Sequence, residues 1–92
     1  MRVRISCINK REHYNPHERI THVGGVHNGR RWRMTESDAI ASIRLGKNSF
    51  YVLVNDREVD VIIAVHEGRE YLKTTADGYA PNNLLSLNEC LI

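Results

Sequence analysis

The stretch Phe50-Tyr51-Val52-Leu53-Val54, Asn55-Asp56-Arg57-Glu58, Val59-Asp60-Val61-Ile62-Ile63-Ala64-Val65 decides the fold. Two runs rich in β-branched and aromatic residues flank four polar ones, the mark of a hairpin connection. In the second run Val59, Val61, Ile63 and Val65 fall on one face, and Asp60, Ile62 and Ala64 on the other. That period of two belongs to a strand with one face toward a core. Glu67-Gly68-Arg69 turns the chain again, and residues 70–74 supply a third run. Three strands joined by short turns predict an antiparallel meander, whose apolar face needs a cover.

The cover lies just upstream. Thr35-Glu36-Ser37-Asp38 places an N-cap hydroxyl before two carboxylates, which suit the positive end of a helix dipole. Ala39, Ile40 and Ile43 form an inward stripe and Gly46 is placed to end the turn, so a helix is predicted over residues 36–45. Before it, Asn28-Gly29 marks a tight turn between residues 20–26 and 30–34, with Gly24-Gly25 allowing a bend or bulge where a side chain would clash. In the second arm Trp32 shares a face with Met34, opposite Arg31 and Arg33, so Trp32 is predicted buried against the helix. Residues 2–9 alternate as one strand, with Val3, Ile5 and Cys7 inward; residues 10–18 read as an exposed loop. The expectation is an α+β domain of order β-β-β-α-β-β-β, an antiparallel meander and hairpins with one α-helix on one face. It occupies residues 1–92 as a single domain, with residues 75–92 an irregular tail docked on the core through Leu84, Leu85 and Leu87.

Composition narrows the class. The chain has 92 residues, 41% of them hydrophobic and 26% charged, with net charge +2. That is enough apolar residue to offset the entropy of ordering a small domain. The longest apolar run, residues 61–65, is far short of a membrane span, and the N-terminal stretch lacks the apolar core of an export signal. The reading places the protein in the cytoplasm. Cys7 and Cys90 could join end to end, but without an export signal two buried thiols are the expected state. Charge is uneven: residues 1–46 carry nine basic against four acidic side chains, residues 47–92 four against seven. An Arg-rich half attracts phosphate, although +2 overall is too little for a nucleic-acid coat.

Candidate chemistry is sparse. His13, His17, His22, His27 and Cys7 include no ligand spacing, and Pro16 breaks any helix that would bring His13 and His17 together, so no metal site is expected. Ser37, Ser42, Thr74, Thr75 and Cys90 sit in no recognisable nucleophile turn, which points away from an enzyme. Two features stand out. Gly29-Arg30-Arg31-Trp32-Arg33 combines guanidinium forks, which match phosphate oxygens, with an indole able to stack on a base. The segment Lys73-Thr74-Thr75-Ala76-Asp77-Gly78 with Asn82-Asn83 is a polar loop suited to hydrogen bonding.

Taken together, Val23-Gly24-Gly25, Trp32, Asp38-Ala39-Ile40 with Gly46, Phe50-Tyr51-Val52, Tyr71-Leu72-Lys73-Thr74, Asp77, Asn83-Leu84-Leu85 and Leu87 with Cys90 form an ordered set. The set resembles a family of short bacterial and phage-borne proteins known only as a domain of unknown function. The likeness covers the chain after about Ile20 and implies the same boundaries and meander; it implies no activity. The expected function is a non-enzymatic binding protein without cofactor, for a nucleotide or a nucleic-acid backbone. Arg31, Arg33, Arg2, Arg4 and Lys73 would supply charge, and Thr74, Thr75, Asp77 and Asn83 polar contacts. In the phage company that the resemblance implies, such a module would sequester a nucleotide. The alternative is a protein-interaction or oligomeric assembly module, binding a host protein or its own copy through a strand edge or residues 84–92.

Overall fold

The computed structural model describes residues 1–11, 20–75, 84 and 87–90. Its elements are β1 (Arg2–Arg4), β2 (Cys7–Lys10), β3 (Ile20–His27), β4 (Arg30–Thr35), α1 (Glu36–Arg44), β5 (Ser49–Val54), β6 (Arg57–His66), β7 (Arg69–Thr74) and β8 (Asn88–Glu89). They form an α+β fold with two four-stranded sheets, ordered β1-β5-β6-β7 and β4-β3-β2-β8. The meander is as expected: Phe50 registers with Val61, and Ile63 with Leu72. The three hairpins turn on Asn28-Gly29, Asn55-Asp56 and Glu67-Gly68, each residue at positive φ. Two left-handed residues in succession match the right-handed twist of the flanking strands. Arg57 and Glu58 therefore belong to β6 and not to the connection.

The expectation of one antiparallel assembly needs correction. Residues 2–9 do not run as one strand. The chain passes from one sheet to the other at Ile5 and Ser6: the Ile5 amide donates to Tyr51 O at 2.8 Å, and the Ser6 amide to Gly24 O at 2.9 Å. The handover shifts the alternation, so Val3, Ile5 and then Ile8 are buried, in place of Cys7. β1 lies parallel to β5, and β2 parallel to β8, a short strand the period-two analysis does not predict. Periodicity finds strands of several residues but cannot see pairings of two or three.

Gly24 and Gly25 make no bulge; the register shift falls between Asn9 and Lys10. Both glycines are needed for close approach. A Cβ on Gly24 would stand 2.6 Å from Trp32 O and 3.0 Å from Cys90 Sγ, and one on Gly25 would stand 2.7 Å from Arg4 O. Cys7 and Cys90, expected as thiols, form a disulfide that spans 83 positions and lies against Gly24. The parallel β2–β8 pairing brings their backbones together, which separation in sequence conceals. A disulfide persists where the surroundings oxidise, so the thiol argument for a reducing compartment loses its footing.

The helix matches its sequence signals. Thr35 Oγ1 accepts the Asp38 amide at 3.1 Å, and Gly46 takes φ +71° beyond the Leu45 cap. Ala39 and Ile40 are buried and Ile43 packs on the same core, which holds Val3, Ile5, Ile8, Ile20, Val23, Phe50, Val52, Val61, Leu72 and Leu84. Leu84 is fully buried and Leu87 partly so; Leu85 lies outside the described residues. No helix among the described residues is long and apolar enough to cross a membrane.

Candidate functional site

β4 is one edge of its sheet, and β1 one edge of the other. Between these two edges the core is incompletely closed. A hollow of about 370 Å³ opens there, floored by Val3, Trp32, Met34 and Phe50. His27, Arg30, Arg31 and Asn48 stand around it, and among the described residues no carboxylate lines it. The sequence sets this up locally. The Asn28-Gly29 turn starts β4 so that Arg30, Trp32 and Met34 share the core-side face, while Arg31 and Arg33 alternate with them beside Val26 and Gly24; Arg31 still borders the hollow, and Arg33 does not. Trp32 is half-buried; its expected partner was the helix, but it stacks on Phe50 of β5 at 5.8 Å between centroids and 29° between planes. Its Nε1 is enclosed without a hydrogen-bond acceptor among the described residues, close to Gly25.

Electrostatics separate these arginines from Arg2, Arg44 and Arg69. Arg2 bonds Asp60 at 2.8 Å and Glu58 at 3.1 Å and lies 4.5 Å over the Tyr51 ring. The two carboxylates hold its guanidinium above the ordinary arginine pKa. Arg44 pairs with Glu70, and Arg69 approaches Glu36 at 3.8 Å. Among the described residues, Arg30, Arg31 and Arg33 are exposed and make no ion pair.

The other expected ligand residues are not brought to this hollow. Arg2 and Arg4 are on β1 in register with Ser49 and Tyr51, on the outer face of their sheet. Lys73 sits at the opposite edge, on β7 facing Ile62. Thr74 ends β7, as the third run over residues 70–74 predicts, and is fully buried opposite Val61, so it is no part of the polar loop to which the sequence also assigns it as a candidate contact. Thr75 follows it, exposed, with its amide bonded to Asp60 O. Asp77, Asn83, His13 and His17 lie outside the described residues. Sequence reading missed Arg30 and Phe50 as neighbours of Trp32. Arg30 is visible in the same arginine run, whereas Phe50 arrives from the other sheet.

Neither the curated proteins nor the solved structures yield a match to this chain. A family model described as "Protein of unknown function (DUF3892)" matches residues 4–88, from the last residue of β1 through the first residue of β8. With nearly its whole length covered, the chain belongs to the DUF3892 family of proteins of unknown function.

Proposed function

We propose that this protein is a non-enzymatic binding module for a phosphate-bearing ligand, held by the arginines of β4. The observation that supports it is the contrast in charge pairing. Arg2, Arg44 and Arg69 have carboxylates beside them; Arg30, Arg31 and Arg33, like Arg4 and Arg57, have none among the described residues, but these three stand together on one edge strand. Charged side chains on an edge strand also discourage sheet-to-sheet pairing. That role is met by charge of either sign, and it does not call for a concave, carboxylate-free surface next to the cations. Arg31 and Arg33 are roughly 7 Å apart at about 3.3 Å per residue, a spacing suited to neighbouring phosphates or to the oxygens of a diphosphate.

The test is thermal-shift and titration calorimetry against mononucleotides, inorganic diphosphate and a short single-stranded oligonucleotide, at low and high salt. Binding should raise Tm, weaken steeply with salt, and be lost in the R30A/R31A/R33A variant with little change in Tm of the free protein. Exposed charges of this kind contribute at most about 0.5 kcal/mol each to stability. Failure of every phosphate-bearing probe to bind, combined with salt-insensitive self-association in size-exclusion chromatography, would move the assignment to an assembly module using the β4 edge. The tail is a poor candidate for that role, because Leu84 is already buried in the core.

A further inference from the structure

We infer that the hollow between β1 and β4 is a mononucleotide site, in which the base stacks on Trp32 and the phosphate lies on Arg30 and Arg31. The inference rests on the phosphate-binding reading and adds the part of the ligand that carries no charge. Three observations on one surface support it. The first is aromatic: Trp32 and Phe50 already form an offset stack, and the indole keeps part of its surface exposed within the hollow. A flat heteroaromatic ring extends such a stack, because each base offers a π-face regardless of its edge.

The second observation is size. At about 370 Å³ the hollow is near the lower end of small-molecule sites, which run from roughly 300 to 1,000 Å³. It can seat one base and leave the sugar at the rim, and it is too confined for a duplex. The third is polarity. The floor is apolar through Val3 and Met34, whereas the charged side chains of the described lining, Arg30 and Arg31, are both cationic, and His27 adds a polar ring. Asn48 adds a neutral contact; one of its two amide hydrogens is given to Ser42 Oγ at 2.9 Å. An apolar aromatic floor with a cationic rim is the complement of a nucleotide, apolar and flat at one end and anionic at the other. A bare phosphate would use the rim and leave the floor empty.

Trp32 is the single tryptophan of the chain, so its fluorescence reports on the site alone. The experiment titrates the intact protein with adenosine 5′-monophosphate, ribose 5-phosphate and inorganic diphosphate, following fluorescence and calorimetry together. Adenosine 5′-monophosphate should quench Trp32 saturably and bind at least tenfold tighter than ribose 5-phosphate. W32L should weaken it about tenfold and W32F recover most of the loss, each with its circular dichroism unchanged. If W32L fails to fold, M34A and R30A/R31A on the same hollow take its place, and both should weaken the monophosphate. Equal binding of ribose 5-phosphate and adenosine 5′-monophosphate would overturn the base site while leaving the phosphate reading intact. So would monophosphate binding that leaves Trp32 fluorescence unmoved. Absence of binding by all three probes and by an oligonucleotide defeats both.

Discussion

At the first position of α1, Glu36 is 6% exposed, and its carboxylate accepts the Leu72 amide of edge strand β7 at 3.2 Å. Sequence analysis gave this residue only a dipole role; its side chain also ties the helix to the meander. Burial raises its pKa above the ordinary 4.5, against the lowering effects of the Leu72 amide, Arg69 and Arg11. A carboxyl whose folded pKa is raised binds its proton more tightly folded than unfolded. Its contribution to stability is therefore present below about 4.5 and is lost as pH rises through the folded value. E36Q keeps an acceptor for Leu72 and removes the charge, so its denaturation midpoint should vary less with pH across that window and equal or exceed the parent's at pH 7. E36A, which strands the amide, should lose about 1–3 kcal/mol in urea titrations. Gly24 is the other sensitive residue. G24A forces a methyl against Trp32 O and the Cys90 sulfur and should cost roughly 2–3 kcal/mol, whereas a destabilisation under 0.5 kcal/mol would show that the strand can shift to admit it.

Among the elements, α1 and the hairpins carry their signals locally and should respond locally. Thr35→Ala removes the acceptor for Asp38 N–H and should lower stability by about 1 kcal/mol, with Thr35→Ser close to neutral. The β6–β7 turn places Glu67 at φ +51°, a conformation that asparagine tolerates better. Glu67→Asn is expected to stabilise by a few tenths of a kcal/mol, as read from the shift in denaturation midpoint at unchanged slope. The helix and meander are legible in the chain because caps, turns and period-two faces depend on residues within a few positions of one another. The β1–β2 handover is not, since consecutive amides there choose partners 46 and 18 positions away, Tyr51 and Gly24.

Across the whole molecule, the Cys7–Cys90 cross-link closes nearly the entire chain. A closure of that length removes much of the unfolded state's freedom and is worth about 2–5 kcal/mol. Adding a reductant, or replacing both cysteines with serine, should lower Tm by roughly 10–20 °C for a domain of this size. A Tm shift below 2 °C would show that the β2–β8 pairing holds the chain end without the covalent bond. The hollow beside Trp32 should outlast reduction, because its floor comes from β1, β4 and β5 and not from β8.

What the amino-acid order determined alone was the set of local elements: the capped helix, the places of the three hairpin turns, the meander, and an arginine run on one strand. These rest on interactions between near neighbours, which a linear pattern records. Only the tertiary structure decided which strands share a sheet, that Cys7 and Cys90 meet, and that Phe50 backs Trp32 where two edges leave the core open. It also decided which arginines are neutralised, since Glu58 and Asp60 reach Arg2 across a sheet while nothing comparable reaches Arg31 or Arg33 among the described residues. Such contacts join positions tens of residues apart, and the packing free energy that selects them depends on shape and burial in three dimensions, quantities that periodicity and local charge do not encode.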